Sequence, residues 1–289
     1  RLYLMRIVFF GRNKHGIFIS FNRDEYFSRP STPFGPIDTT IEENKRFSED
    51  IYYCLDNLTF GTFFALNKKT HNFCFLLNHP FLEHNYTIKH KRGEIPLQYC
   101  SLQFSDKEDF QKKNLTYINQ LSLLDAGYNG YNLVFGNLKY QRVFYYTNNK
   151  AYLKNKMPEL TLPYEFDMKE NKENPPVYGI SNCSLFHILL PKLDFGVKEI
   201  RTILANSLLE NKEIKGEIFT QSIGSEKDCD VLSKEQREDL EIFSYEVLSK
   251  VMFNSALHST ESSQFNEVKK KYGLEKGKDS LLVMETNKI

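Results

Sequence analysis

The chain has 289 residues, 40% of them hydrophobic and 26% charged. That is globular rather than disordered composition, and the length allows one large domain or two small ones with a sizeable core. Lys and Arg total 38 against 37 Asp and Glu, a net charge of +1, so no global field draws the chain onto nucleic acid or anionic lipid.

The predicted elements begin with two apolar runs, Leu4 to Phe10 and Ile17 to Phe21, split by Gly11-Arg12-Asn13-Lys14-His15-Gly16. This pattern predicts a hairpin. The first run carries Arg6 in its middle and no small-residue cleavage site, so it reads as a strand and not a signal peptide. The apolar pattern stops at Asn22-Arg23-Asp24-Glu25, and Pro30, Pro33, Gly35 and Pro36 then mark a loop. Gly61 to Leu66 and Phe73 to Asn78 predict a second hairpin, closed by His79-Pro80. Ser105 with Glu108 forms a capping-box pattern ahead of a helix over Phe110 to Leu124. Tyr131 to Phe135 and Val143 to Thr147 predict a third hairpin.

The stretch 154–176 holds Pro158, Pro163, Pro175 and Pro176 among many charges and reads as an excursion from one domain spanning 1–289. Asp194 is placed to cap a helix with Val197, Ile200, Ile203, Leu204 and Leu208 on one face. Ser233 with Gln236 leads into helical spacing over Leu240 to Val251, residues 258–271 read as a polar insertion, and Leu281 to Met284 as a last strand. Repeated hairpins with helices between later strands define an α+β protein with antiparallel sheets covered by helices. No apolar run approaches the ~20 residues that cross a bilayer, so no membrane insertion is expected.

Cys54, Cys74, Cys100, Cys183 and Cys229 are odd in number, scattered and free of any C-x-x-C spacing. They read as reduced thiols, neither a disulfide scaffold nor a zinc site. The seven histidines include no H-x-x-x-H pair, and no metal is expected. His15 and His71 fall in predicted turns, His187 lies in the apolar run Leu185 to Leu190, and His79 follows a strand end beside Asn78.

Phe21-Asn22-Arg23-Asp24-Glu25-Tyr26-Phe27-Ser28-Arg29-Pro30-Ser31 closely resembles the signature of the Transport and Golgi organization 2 family, also called the NRDE family. Further similar segments follow in the family's order. They are Met5 to Phe10, Gly61-Thr62-Phe63, Leu77-Asn78, Arg92-Gly93, Tyr128-Asn129-Gly130-Tyr131-Asn132-Leu133 and Tyr178-Gly179-Ile180-Ser181-Asn182. The resemblance implies the four-layer αββα sandwich of antiparallel sheets found in N-terminal nucleophile hydrolases. In that fold a terminal Cys, Ser or Thr attacks and its own α-amino group acts as base. Family members carry Cys directly after the initiator Met, whereas the matching position here is Arg6. A guanidinium stays protonated and is neither nucleophile nor base. The arginine of the fold's late G-T-R pattern is also missing, since Tyr272-Gly273 is followed by Leu274 and Glu275.

No catalytic residue is therefore assigned, and these departures from the family pattern read as a pseudoenzyme. The resemblance implies a carrier that binds and traffics haem or a related apolar, lipid-like acid. Haem is then cargo, no cofactor is required, and the chain works in the cytoplasm in association with mitochondria or Golgi. The expected ligand-binding residues are Arg6, Asn22, Arg23, Asp24, Asn78, His79, Asn132 and Asn182. Arg6 and Arg23 would anchor acid groups, Asn78 and Asn132 would serve as oxyanion-type donors, and Arg6 would face Asp24 or Glu25. Two other readings stay open: an amidohydrolase of the N-terminal nucleophile type, and a structural factor in Golgi or secretory organisation.

Overall fold

A computed structural model describes residues 6–13, 16–25, 31–32, 34–79, 90–169, 171, 174–182, 191–209 and 286–288. The expected helix at 240–251, the insertion at 258–271 and the strand at 281–284 lie outside the described residues. The chain is α+β with antiparallel sheets, as the hairpin pattern predicts. It divides into two compact units.

The first unit is built on seven antiparallel strands: β3 (Gly35–Pro36), β4 (Ile51–Asp56), β5 (Gly61–Asn67), β6 (Asn72–Asn78), β7 (Tyr131–Asn137), β8 (Arg142–Thr147) and β9 (Tyr164–Glu165). They lie in sequence order, because each connection is short or returns over one helical layer. That layer is α1 (Ile95–Cys100) and α2 (Lys107–Leu124). Tyr53, Ala65, Cys74, Leu76, Leu133, Phe135 and Phe144 meet Ile95, Tyr99, Phe110 and Ile118 in one core. The alternate strand positions, among them Phe64, Phe75, Val134 and Tyr145, are also buried. A sheet hidden on both faces shows no polar alternation, which is why β4 leaves no period-2 signal in the sequence.

Three hairpin turns of this sheet share one design. Asp56, Asn67 and Asn137 are each buried. Each side chain accepts main-chain N–H bonds from two or three residues ahead: Leu58 (3.0 Å) and Thr59 (3.1 Å), Lys69 (2.9 Å) and Thr70 (2.9 Å), and Tyr140 (3.0 Å). Four residues after each lies a left-handed residue: Phe60 at φ 53°, His71 at φ 65° and Gln141 at φ 55°. A short polar side chain that bonds its own turn fixes the reversal without glycine.

The N-cap of α2 is Asp106, one residue later than the expected Ser105. Its carboxylate accepts from the Asp109 amide at 2.8 Å, and Asp109 in turn accepts from the Ser105 amide at 3.0 Å. A carboxylate outcompetes the hydroxyl at a helix start because it also meets the positive end of the dipole. Helix α3 (Lys150–Lys156) leads into the excursion at 154–176, which includes the edge strand β9 and buries Phe166 and Met168.

The second unit contains most of β1 (Arg6–Asn13), β2 (Gly16–Glu25) and β10 (Val177–Ser181), with α4 (Pro191–Leu209) and β11 (Thr286–Lys288). The sheet order is β10-β1-β2-β11. Arg12 donates its amide to Pro176 (3.0 Å) while Ser181 bonds the Arg6 carbonyl (2.9 Å), so β1 and β10 run in opposite directions. β2 continues through Asn22-Arg23-Asp24-Glu25 where the sequence predicts its end, since ladder pairing tolerates polar residues that hydropathy does not count. Helix α4 starts at Pro191, so Asp194 sits in its first turn instead of capping it and pairs with Lys198 at 2.7 Å. Ile200 and Leu204 are fully buried on the predicted face. Each unit thus supplies one helical and one sheet layer, the pairings from which an αββα sandwich is made.

Candidate functional site

Four of the motif segments meet at one end of the seven-stranded sheet. The register pairs Asn78 with Tyr131 and Asn132 with Thr147, so β6 ends and β7 begins beside the end of β8. The Gly130 carbonyl accepts from the His79 amide at 3.0 Å and from the Arg92 guanidinium. Gly93 rests on Gly61 so closely that a Cβ at 93 would lie 2.4 Å from the Gly61 Cα. These segments are far apart in the chain, and main-chain contacts bring them together.

Polar side chains line this end. Asn132 is fully buried and accepts from the Tyr145 hydroxyl at 2.8 Å. Thr147 donates to the Tyr131 carbonyl at 2.8 Å, and Asn148 accepts the Tyr131 amide at 2.8 Å. The Asn149 amide nitrogen lies 3.3 Å from His79 Nδ1. Burial lowers the pKa of His79 to about 4, which keeps the ring neutral at physiological pH. With the Asn149 amide nitrogen as donor, the neutral ring accepts this bond at Nδ1 in the tautomer that carries its proton on Nε2.

Asn78 and Asn132 lie on adjacent strands but on opposite faces of the sheet. Asn78 stands opposite Tyr131 and Asn132 opposite Leu77, so the period-2 alternation sets them on opposite faces of the sheet. Asn132 shares its face with Val134 and Tyr145, whereas Asn78 has the parity of the helix-covered Cys74 and Leu76.

Arg6 is 6% exposed. The ladder between β5 and β6 runs from Leu66 opposite Phe73 to Phe64 opposite Phe75. Just past it, the Leu76 carbonyl accepts from Arg6 Nη1 at 3.2 Å, and the guanidinium carbon lies 5.3 Å from the Phe63 ring centre. The cation therefore serves a main-chain acceptor and stacks on an aromatic face, two interactions that suit a delocalised planar group. Its expected neighbours Asp24 and Glu25, with Asn22, have side chains outside the described residues. In the other unit, Arg23 on β2 is only 1% exposed, although it belongs to the charged tetrapeptide. Asn182 follows Ser181 at the end of β10 and is half-buried.

The sequence did not reveal a cluster around Asp125. Its carboxylate accepts from the hydroxyls of Tyr131 (2.7 Å) and Tyr146 (2.6 Å) and pairs with Lys150 at 2.8 Å. Burial, reinforced by the Asp125 charge, pushes both phenols well above their ordinary range. The only sequence signal was the tyrosine-rich composition, since a buried phenol needs a partner. The partner, however, is 21 residues from Tyr146.

Among the described residues no helix is long and apolar enough to cross a membrane, and no group of three His, Cys, Asp or Glu side chains comes together. Cys54, Cys74 and Cys100 are buried.

Antiparallel sheets with helical cover, and collinear motifs meeting at one sheet end, define the class of α+β protein that the tetrapeptide signature indicates. The family model described as Transport and Golgi organisation 2 matches residues 5–287. The chain belongs to the Transport and Golgi organisation 2 family. No curated protein gives a significant match.

Proposed function

We propose that this chain is a non-catalytic carrier that binds and traffics haem or a related apolar acid. The observation that carries this reading is Arg6. At the position where the family places its nucleophile stands a buried guanidinium held by the Leu76 carbonyl and the Phe63 ring. It has no lone pair to attack a carbonyl and cannot act as base. A buried cation on an aromatic wall can instead anchor a carboxylate, as can Arg23. Aromatic and aliphatic side chains dominate the buried residues on both sheets, the surroundings that an extended apolar ligand requires.

Titration of the purified protein with haemin, followed in the Soret region, tests the proposal. Saturable binding that weakens in Arg23→Ala supports a carrier. Absorbance that rises without saturation, as it does with an unrelated protein, overturns it.

A further inference from the structure

The turn joining β4 to β5 has the frame of its two sister turns but different side chains. Two residues after the turn-forming Asx stand Lys69 and Lys139 in the sister turns, and Leu58 here. Four residues after it stand His71 and Gln141, and Phe60 here. Leu58 is 65% exposed and Phe60 75% exposed. The shared frame is therefore compatible with lysine and polar groups, so backbone geometry does not dictate Leu and Phe. Phe60 also holds a left-handed conformation that disfavours bulky side chains, without burial to offset it.

The tip residues Asn57, Leu58, Thr59 and Phe60 carry no charge, and the Asp56 carboxylate beneath them is buried and bonded inward. Gly61 at its base touches Gly93. Gly93 directly follows His90-Lys91-Arg92, in which Lys91 is exposed. An uncharged tip with a Leu and a Phe, near the exposed Lys91, matches the boundary of an anionic bilayer. There the apolar side chains enter the acyl edge, and the lysine stays among the headgroups. The net charge of +1 supplies no long-range pull, so such docking is short-range.

The geometry points to the Asn57–Phe60 tip as a peripheral docking element for an anionic membrane surface. This is independent of the ligand reading above. Co-sedimentation of the full chain with phosphatidylcholine vesicles, with and without phosphatidylserine, tests it. Binding should require phosphatidylserine and fall as salt rises. It should weaken at least tenfold in Leu58→Ser/Phe60→Ser and severalfold in Lys91→Glu. Phe60→Gly separates docking from folding: glycine suits φ 53°, so its melting temperature should match or exceed that of the parent while vesicle binding drops. Equal sedimentation with neutral vesicles overturns the proposal. So does unchanged binding by Phe60→Gly, or an apolar tip that instead mediates self-association in analytical ultracentrifugation.

Discussion

Gly93 lies against Gly61, main chain to main chain, and this contact joins the start of β5 to the turn that opens α1. The two contacts are unequal. A Cβ at 93 would sit 2.4 Å from the Gly61 Cα, whereas a Cβ at 61 would sit 3.4 Å from the Gly93 Cα. Gly93→Ala should therefore cost about 1–3 kcal/mol through forced backbone displacement, and Gly61→Ala distinctly less. Urea unfolding of both variants checks the order, and equal losses would contradict it.

Tyr145→Phe removes the hydroxyl that Asn132 accepts while keeping the ring. Leaving a buried acceptor short of a donor should cost about 1–3 kcal/mol. Chemical denaturation reads the loss, and a change within about 0.5 kcal/mol would mean that the bond has no structural role.

Acid should act through His79. Burial lowers its folded pKa to about 4, below an ordinary value near 6.5. Between these values the unfolded chain binds the extra proton, so stability falls as pH drops from about 6.5 toward 4. His79→Gln should remove this contribution. The difference between the two stability profiles should slope within that window and be flat above it. Parallel profiles would place His79 in water.

Asp125→Asn should loosen the tyrosine cluster. The carboxylate that accepts from Tyr131 and Tyr146 and pairs with Lys150 becomes a neutral amide. Removing a charge-assisted network should lower stability by about 1–3 kcal/mol. Burial still holds the phenols up, but without the neighbouring negative charge their ionisation should begin at lower pH. Ultraviolet titration detects this, and an unchanged onset would contradict the cluster's electrostatics.

The three hairpins were legible because each joins two apolar runs through a polar turn, and their observed bounds lie within a few residues of prediction. Helix α2 was legible too, apart from a cap displaced from Ser105 to Asp106. β4 was not, because burial on both faces erases the alternation that marks a strand. The sequence showed the motif segments to be collinear. It could not show Gly130 accepting from both His79 and Arg92, because main-chain contacts between distant segments leave no local pattern. Which sheet faces Asn78 and Asn132 occupy was not legible either, because a single residue's offset in strand register inverts them.

Native mass spectrometry of the full chain mixed with haemin, and separately with a long-chain fatty acid, tests most directly whether Arg6 marks a carrier and not an enzyme. A one-to-one adduct with at least one of them, weakened in Arg6→Met and unaccompanied by chemical change in the ligand, is the predicted result. Absence of any adduct, or release of a cleaved product, would contradict the account.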